Sequence, residues 1–361
     1  MRVTLVTNTP TPYRAPLYTE LNRRLSEGGG TFTVVYGARA DARHQWSDVE
    51  PPTGSAPSVF VNASPLLDGS RVAYLNPRVV PAVIRTRPDA VILGGYAPWT
   101  YYVAAWCRLS RTPYFVWSAE TLDSEPVIGE RRRRRRPLLR GAAGALAYGP
   151  AAAAYLAEMG VPPSAVTVVG NGIDIDAFAL RADKARGQRD ELRQRLGVES
   201  ALILSVGGKN VELVVAAAEL IGENVSVVVV GTPGRDLHHP LVVSLGRRDS
   251  QEMPSLYAAA DCVAHPTRLD RWPHAINEAL SAGVPVVASR NTGVPDEIFA
   301  GPGSGLVDGT PTALAHAIDL AIHVDSSSPK IREEIRAPLR PWGIDGMTER
   351  ILAAVERAIA G

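Results

Sequence analysis

Short apolar runs rich in Val, Ile and Leu recur along this chain, each followed by a stretch of helical period, and the rhythm stops once and then restarts. A strand that is apolar on both faces belongs in a parallel sheet covered on both sides. Parallel neighbours need a crossover between them, usually a helix. The chain is therefore confined to α/β architectures, and the restart asks for two sheets. Its 361 residues agree, because a single core stops growing at roughly 250–300 residues.

The first series predicts strands at 2–7, 31–36, 90–93, 114–117, 146–148 and 166–169, with helices at 17–25, 101–109 and 151–159. The pattern breaks at GNGIDIDAF, Gly170–Phe178, a polar, charged stretch follows over 181–195, and the domain boundary is expected between about 170 and 200. The second series predicts strands at 201–206, 226–230, 262–265 and 284–289, with helices at 211–220, 253–260 and 274–282. A last amphipathic helix is expected over 346–359. The expected organisation is one Rossmann-like domain over 1–175 and a second over 176–343. A C-terminal helix over 344–361 would pack back toward the first domain. In such sheets ligands sit outside the C-terminal strand ends, so the informative residues are in strand-to-helix loops facing an interdomain cleft.

A formal charge of +1 gives no general attraction to nucleic acid, and basic residues interleaved with aromatics are lacking. Cys107 and Cys262 stand in apolar contexts without metal-ligand spacing, as buried thiols of a reduced compartment do. The opening MRVTLVTNTPTPYR lacks a signal-peptide pattern, and no 18-residue uncharged apolar stretch follows. A cytoplasmic enzyme is expected, one able to touch the inner membrane surface as a peripheral protein.

Three loops of the second series carry the chemistry. Asp270 precedes Glu278 by eight residues, placing one carboxylate in a loop and the other in the following helix. Both can accept hydrogen bonds from sugar hydroxyls along an extended ligand. Arg271, Trp272 and Pro273 lie between them, at a helix start whose free amides suit oxygen or anionic groups. Asn291, Thr292 and Gly293 form a compact turn whose backbone donors could hold a diphosphate. Gly207 and Gly208 permit close backbone approach, and Lys209 beside them is one of only three lysines against 35 arginines. The P-loop spacing is absent there, and so is GxGxxG after the first strand, which weighs against a dinucleotide dehydrogenase.

LDRWPHAINEALSAGVPVVAS resembles the E-x7-E region of the retaining, GT-B-fold glycosyltransferases called family 4. GNGIDIDAF resembles that family's segment at the end of its first domain, and SLYAAADCVAHPT the stretch before its nucleotide-sugar loop. NTPTPYRAPLY resembles a PYR-containing subgroup. The resemblance implies that Glu278 binds ribose hydroxyls, that Asp270 orients the transferred sugar where relatives carry glutamate, and that Lys209 binds phosphate. It further implies a nucleoside-diphosphate sugar as substrate, UDP type favoured, with no cofactor and retention of configuration. Arg271, Trp272 and Pro273 replace the family's glycine-aromatic-glycine triplet. Ser118 and Glu120 stand where many relatives have a histidine, and Glu120 resembles the subgroup's acidic residue, placed to touch acceptor or sugar.

Acceptor contacts are expected from Tyr13, Arg14, Tyr96, Trp99 and Glu120. Aromatic rings suit the faces of sugars, and Arg14 suits phosphate or carboxylate. The acceptor would be a hydroxyl of a small glycoside, aminocyclitol, lipid carrier or glycan. The block Arg131–Arg136 spans too wide an arc to occupy one helical stripe, so it is read as partly loop or as wrapping a helix end. A solvated stretch and weak contact with an anionic membrane both remain open for it. No D-x-D or histidine cluster accompanies the phosphate loops, and no metal is expected. Lys209, Asp270 and Glu120 are the catalytic candidates of a glycosyl transfer. A sugar-nucleotide epimerase or hydrolase, and a non-catalytic sugar-nucleotide binder, are the rival readings.

Overall fold

The computed structural model describes residues 1–38, 56–61, 65–68, 71–74, 76–124, 129–208, 210–231 and 238–360, with backbone alone for 65–68, 71–74 and Arg131. The chain divides into two compact units: Met1–Asn171 together with Ile344–Gly361, and Gly172–Gly343.

The first unit contains β1 (Arg2–Thr7), β2 (Thr31–Tyr36), β3 (Ser58–Phe60), β4 (Pro65–Asp68), β5 (Arg71–Tyr74), β6 (Ala90–Gly94), β7 (Tyr114–Ser118), β8 (Gly144–Ala147) and β9 (Val166–Val168). Its helices are α1 (Ala15–Glu27), α2 (Val79–Arg85), α3 (Pro98–Ser110), α4 (Gly129–Arg140) and α5 (Pro150–Glu158). Seven strands form one parallel sheet in the order β3-β2-β1-β6-β7-β8-β9, and β4 pairs with β5 as an antiparallel hairpin. The period of two along β1 sends Val3 and Leu5 into a core with Leu17, Leu21 and Leu25 of α1. Val6 enters the opposite core, with Val83, Trp99, Val103 and Tyr155.

The second unit contains β10 (Ala201–Val206), β11 (Val225–Val230), β12 (Val242–Ser244), β13 (Cys262–His265), β14 (Val286–Ser289) and β15 (Gly305–Val307). They are parallel in the order β12-β11-β10-β13-β14-β15, the doubly wound arrangement with its switch point between β10 and β13. The helices are α6 (Ile175–Ala185), α7 (Arg189–Leu196), α8 (Val211–Ile221), α9 (Met253–Ala259), α10 (His274–Ser281), α11 (Pro311–Ile322) and α12 (Pro329–Arg336). Val211, Val214 and Ala218 of α8 and Leu314 and Ile318 of α11 share a core with Ile203, Val227 and Val229 of the sheet.

The final helix, α13 (Ile344–Ala360), belongs to the first unit. Met347, Ile351 and Val355 are fully buried in the same core as α1. Cys107 and Cys262 are buried free thiols, and burial pushes the Cys107 thiol up to about 12.

The polar stretch over 181–195 is helical, carried by α6, a 3-10 turn and α7. Its arginines are used inward: Arg193 Nη1 lies 2.8 Å from Asp261 Oδ2, and the same oxygen accepts the Leu202 amide at 2.7 Å. The eighth strand lies at Gly144–Ala147 rather than 146–148. Glycine disfavours a strand locally, but a Cβ at Gly144 would sit 2.9 Å from both Ala165 O and the Phe115 ring, so close strand packing requires it.

Candidate functional site

The loops that leave β10, β13 and β14 surround the switch point of the second sheet. β10 ends in Gly207 (φ +88°) and Gly208 (φ +61°), a left-handed pair that glycine adopts without strain. The Gly207 amide donates to Val230 O at 2.8 Å. Lys209 lies outside the described residues.

The loops after β13 and β14 interlock. Ser289 Oγ donates to Thr267 O at 2.6 Å and accepts the Thr267 amide at 2.9 Å. The Asp270 amide donates to Asn291 O at 2.8 Å, and Asn291 Nδ2 donates to Arg268 O at 3.2 Å. Gly293, at φ +65°, lies so close that a Cβ there would stand 2.8 Å from Arg271 O. Asp270, Arg271, Asn291 and Gly293 are thereby brought into one body. Beside it opens a cavity of about 670 Å³ lined by Asn210, Thr267, Arg268, Ser289, Asn291 and Asp308, among others.

The Asp270 carboxylate is held by the backbone. Its Oδ1 accepts the Arg271 amide at 2.7 Å and lies 3.4 Å from the Trp272 amide. Its Oδ2 is 3.8 Å from His265 Nε2. His265 is buried, and Nε2 has no hydrogen-bond partner. Sequence reading passed over this histidine, whose one signal is a polar residue closing an otherwise apolar strand.

Glu278 stands half-buried on α10, where the fully buried Tyr257 donates its hydroxyl to Oε2 at 2.9 Å. Burial pushes the Glu278 carboxyl up to about 7, against the opposing pull of the Tyr257 hydrogen bond and the Arg181 charge. Thr292 is fully enclosed, with no partner for Oγ1, so its side chain is not a ligand contact. Trp272 is likewise a packing residue. Its ring is 3% exposed, lies 5.4 Å from the Trp342 ring, and donates its indole N–H to Asn277 Oδ1 at 3.0 Å. Pro273 is buried next to it. Trp272 keeps φ at +154°, a region that favours glycine. Trp272 and Pro273 therefore turn into the protein rather than narrowing a cradle, whereas Arg271 is exposed.

In the first unit, Tyr13 is 40% exposed and Arg14 only 6%. The Arg14 guanidinium donates to the Tyr148 hydroxyl and lies 4.7 Å from the Trp117 ring centroid and 5.0 Å from that of Tyr148. Glu120 follows β7 and accepts from Ser124 Oγ at 3.0 Å. Tyr96 is half-buried, with the Arg135 guanidinium 4.0 Å above its ring. Trp99 is fully buried in the core, which removes it from any direct sugar contact.

The arginine block is helical throughout, inside α4. Arg132 pairs with Glu158 at 2.6 Å, Arg134 with Glu130, and Arg135 donates to Tyr155 at 2.8 Å. Arg132, Arg133, Arg136 and Arg140 line a second cavity of about 570 Å³. Among the described residues, no carboxylate pairs with Arg133, Arg136 or Arg140. No helix among them is long and apolar enough to cross a membrane.

Residues 17–177 match the family described as Glycosyltransferase Family 4, and residues 201–323 match Glycosyl transferases group 1. A D-inositol 3-phosphate glycosyltransferase of Xylanimonas cellulosilytica is 30% identical over 215 residues, which are 54% of this chain and 51% of that one. The chain thus spans about half the length of the curated relatives it matches. Anabaena HepE, solved in complex with UDP, superposes with a TM-score of 0.75 at 20% identity, covering 99% of this chain and 100% of that one. A glycosyltransferase from Rickettsia africae superposes with a TM-score of 0.74 at 16% identity, over 99% and 98%. These likenesses in structure establish the GT-B fold.

Proposed function

We propose, for a chain that belongs to the family 4 and group 1 glycosyltransferases, that it moves a sugar from a UDP-type nucleoside diphosphate to a hydroxyl acceptor with retention of configuration. The interlocked loops after β13 and β14 at the switch point carry this reading, because they hold Asp270, Asn291 and Gly293 together at the strand ends. The UDP and UDP-glucose complexes of HepE support the donor. The relatives named for D-inositol 3-phosphate support a small polyol or glycoside acceptor, met by Tyr13, Arg14, Tyr96 and Glu120.

As the anomeric carbon–oxygen bond weakens, negative charge grows on the diphosphate. Lys209 and the amides of Gly208 and Gly293 would stabilise that charge most in the transition state. Glu278 would fix the ribose and Asp270 the transferred sugar. The test is a donor-by-acceptor mass-spectrometric screen with product stereochemistry read by NMR, followed by Lys209→Ala and Glu278→Ala. Lys209→Ala should lower kcat by about 100-fold, and Glu278→Ala should raise the donor KM by about 10-fold or more. Unchanged kinetics in both variants would remove the assignment, and donor conversion without acceptor would favour the epimerase or hydrolase.

The unpaired Arg133, Arg136 and Arg140 support a peripheral contact with an anionic membrane, from the cytoplasmic side. Cosedimentation with phosphatidylglycerol vesicles should fall in the triple glutamine variant. Equal binding to neutral vesicles would dismiss it.

A further inference from the structure

The first unit holds a cation with no carboxylate partner among the described residues. Arg14 follows β1 and is 6% exposed. Around its guanidinium stand Trp117 at the end of β7, Tyr148 just beyond β8, and Tyr13, with ring centroids 4.7, 5.0 and 5.5 Å from Cζ. Among the described residues no carboxylate lies within ion-pair distance of Arg14. Its polar partner is a phenol: Nη2 donates to the Tyr148 hydroxyl.

A guanidinium carries five N–H donors in a planar fork, and the Tyr148 hydroxyl occupies only part of that fork. Burying a charge is costly unless an opposite charge meets it, and aromatic faces return only part of that cost. The Trp117 indole Nε1 is also buried without a partner. The residues come from the ends of β1, β7 and β8, the edge of a parallel sheet where ligands bind. The half-exposed Tyr13 gives the cage a solvent side.

We propose that Arg14, Trp117 and Tyr148 form an oxyanion site that takes a phosphate or carboxylate carried by the acceptor. The assignment to an acceptor rests on the transferase reading above; the oxyanion site itself does not. Arg14 supplies a bidentate fork, which lysine cannot reproduce, and the rings exclude water and fix its plane. An acceptor with the anion would then be preferred over its neutral counterpart.

The Trp117 indole resonance of the full chain, assigned with Trp117→Phe, reports on this cage alone. Titration with inorganic phosphate, and separately with acetate, should move it saturably for at least one of the two. The shift should vanish in Arg14→Gln, and the affinity should fall about 10-fold in Arg14→Lys. Unmoved Trp99, Trp272 and Trp342 indoles verify that each variant is folded, and Arg14→Lys carries the test if Arg14→Gln is not. An indole that ignores both anions, or that responds equally in wild type and Arg14→Gln, overturns the site. UDP titration by calorimetry separates the two readings. UDP binding with a silent Trp117 removes the oxyanion site alone, whereas an anion response without UDP binding removes the transferase assignment and keeps the site.

Discussion

Glu278 shows burial and a hydrogen bond pulling one carboxyl in opposite directions. Burial pushes its carboxyl up to about 7 in the folded state, above the 4.5 of a free side chain. The folded state therefore holds the proton more tightly than the unfolded state between those two values. Stability contributed by this group is full below about pH 4.5, declines as pH rises toward 7, and is level above that. If the ionised form binds ribose, donor kcat/KM should rise with pH along a limb centred near 7. Tyr257→Phe withdraws a hydrogen bond that favours ionisation, so the limb should move to higher pH; an unmoved limb would separate Glu278 from the donor. Gly293 and Gly207 make a second residue-scale contrast. Both have positive φ, but a Cβ at Gly207 meets nothing within 4 Å, whereas one at Gly293 meets Arg271 O and Asp270 O. Gly207→Ala should cost about 1 kcal/mol and Gly293→Ala roughly 3 kcal/mol, from strain plus collision, as read by denaturant unfolding. The D-x7-E spacing and the glycine loops were legible in the chain because their signal is local. The inward turn of Trp272 and the enclosure of Trp99 were not, because a side chain's direction depends on neighbours distant in sequence, Trp342 in one case and the sheet in the other.

At the scale of elements, arginine does more here than composition suggests. Arg336 grips Asp183 through two bonds of 2.8 and 2.9 Å, while its Nε caps Ser281 O at the end of α10. Arg332 reaches the same Asp183 at 2.9 Å, and Arg186 donates to Ala282 O. Burial, followed by the charge of Arg332, draws Arg186 down to about 10. Asp183→Asn leaves these cations facing one another, and should destabilise the second unit by roughly 3 kcal/mol, measured by hydrogen exchange of α10 and α12. A loss below 0.5 kcal/mol would contradict this role. In the chain alone 181–195 shows only polarity: its charges look solvated until α9, α10 and α12 supply partners. The arginine block of α4 is helix rather than loop, and Glu158, Tyr155 and Tyr96 let its guanidinium groups point around the helix rather than along one stripe.

For the whole molecule, the decisive feature is that the chain leaves the first unit at Asn171 and re-enters it at Ile344. Ile344, Met347, Ile351, Ala354 and Val355 are buried beside Leu17, Tyr18 and Leu21. At about 1.5–3 kcal/mol for each large apolar side chain buried, their removal approaches the total stability of an ordinary domain. Truncation after Gly343 should therefore unfold the first unit while residues 172–343 keep their protection in hydrogen exchange; a first unit that stays protected would refute the coupling. The sequence by itself determined the α/β class, the two-sheet count, the strand-end loops and the family resemblance, since hydrophobic period, glycine and short motifs act over a few residues. Only the tertiary structure decided that α13 shares its core with α1, that the loops after β13 and β14 lock into one body, and that Arg14 lies caged among aromatic rings. Those outcomes depend on free energies shared between segments tens to hundreds of residues apart, which appear only once the chain has closed on itself.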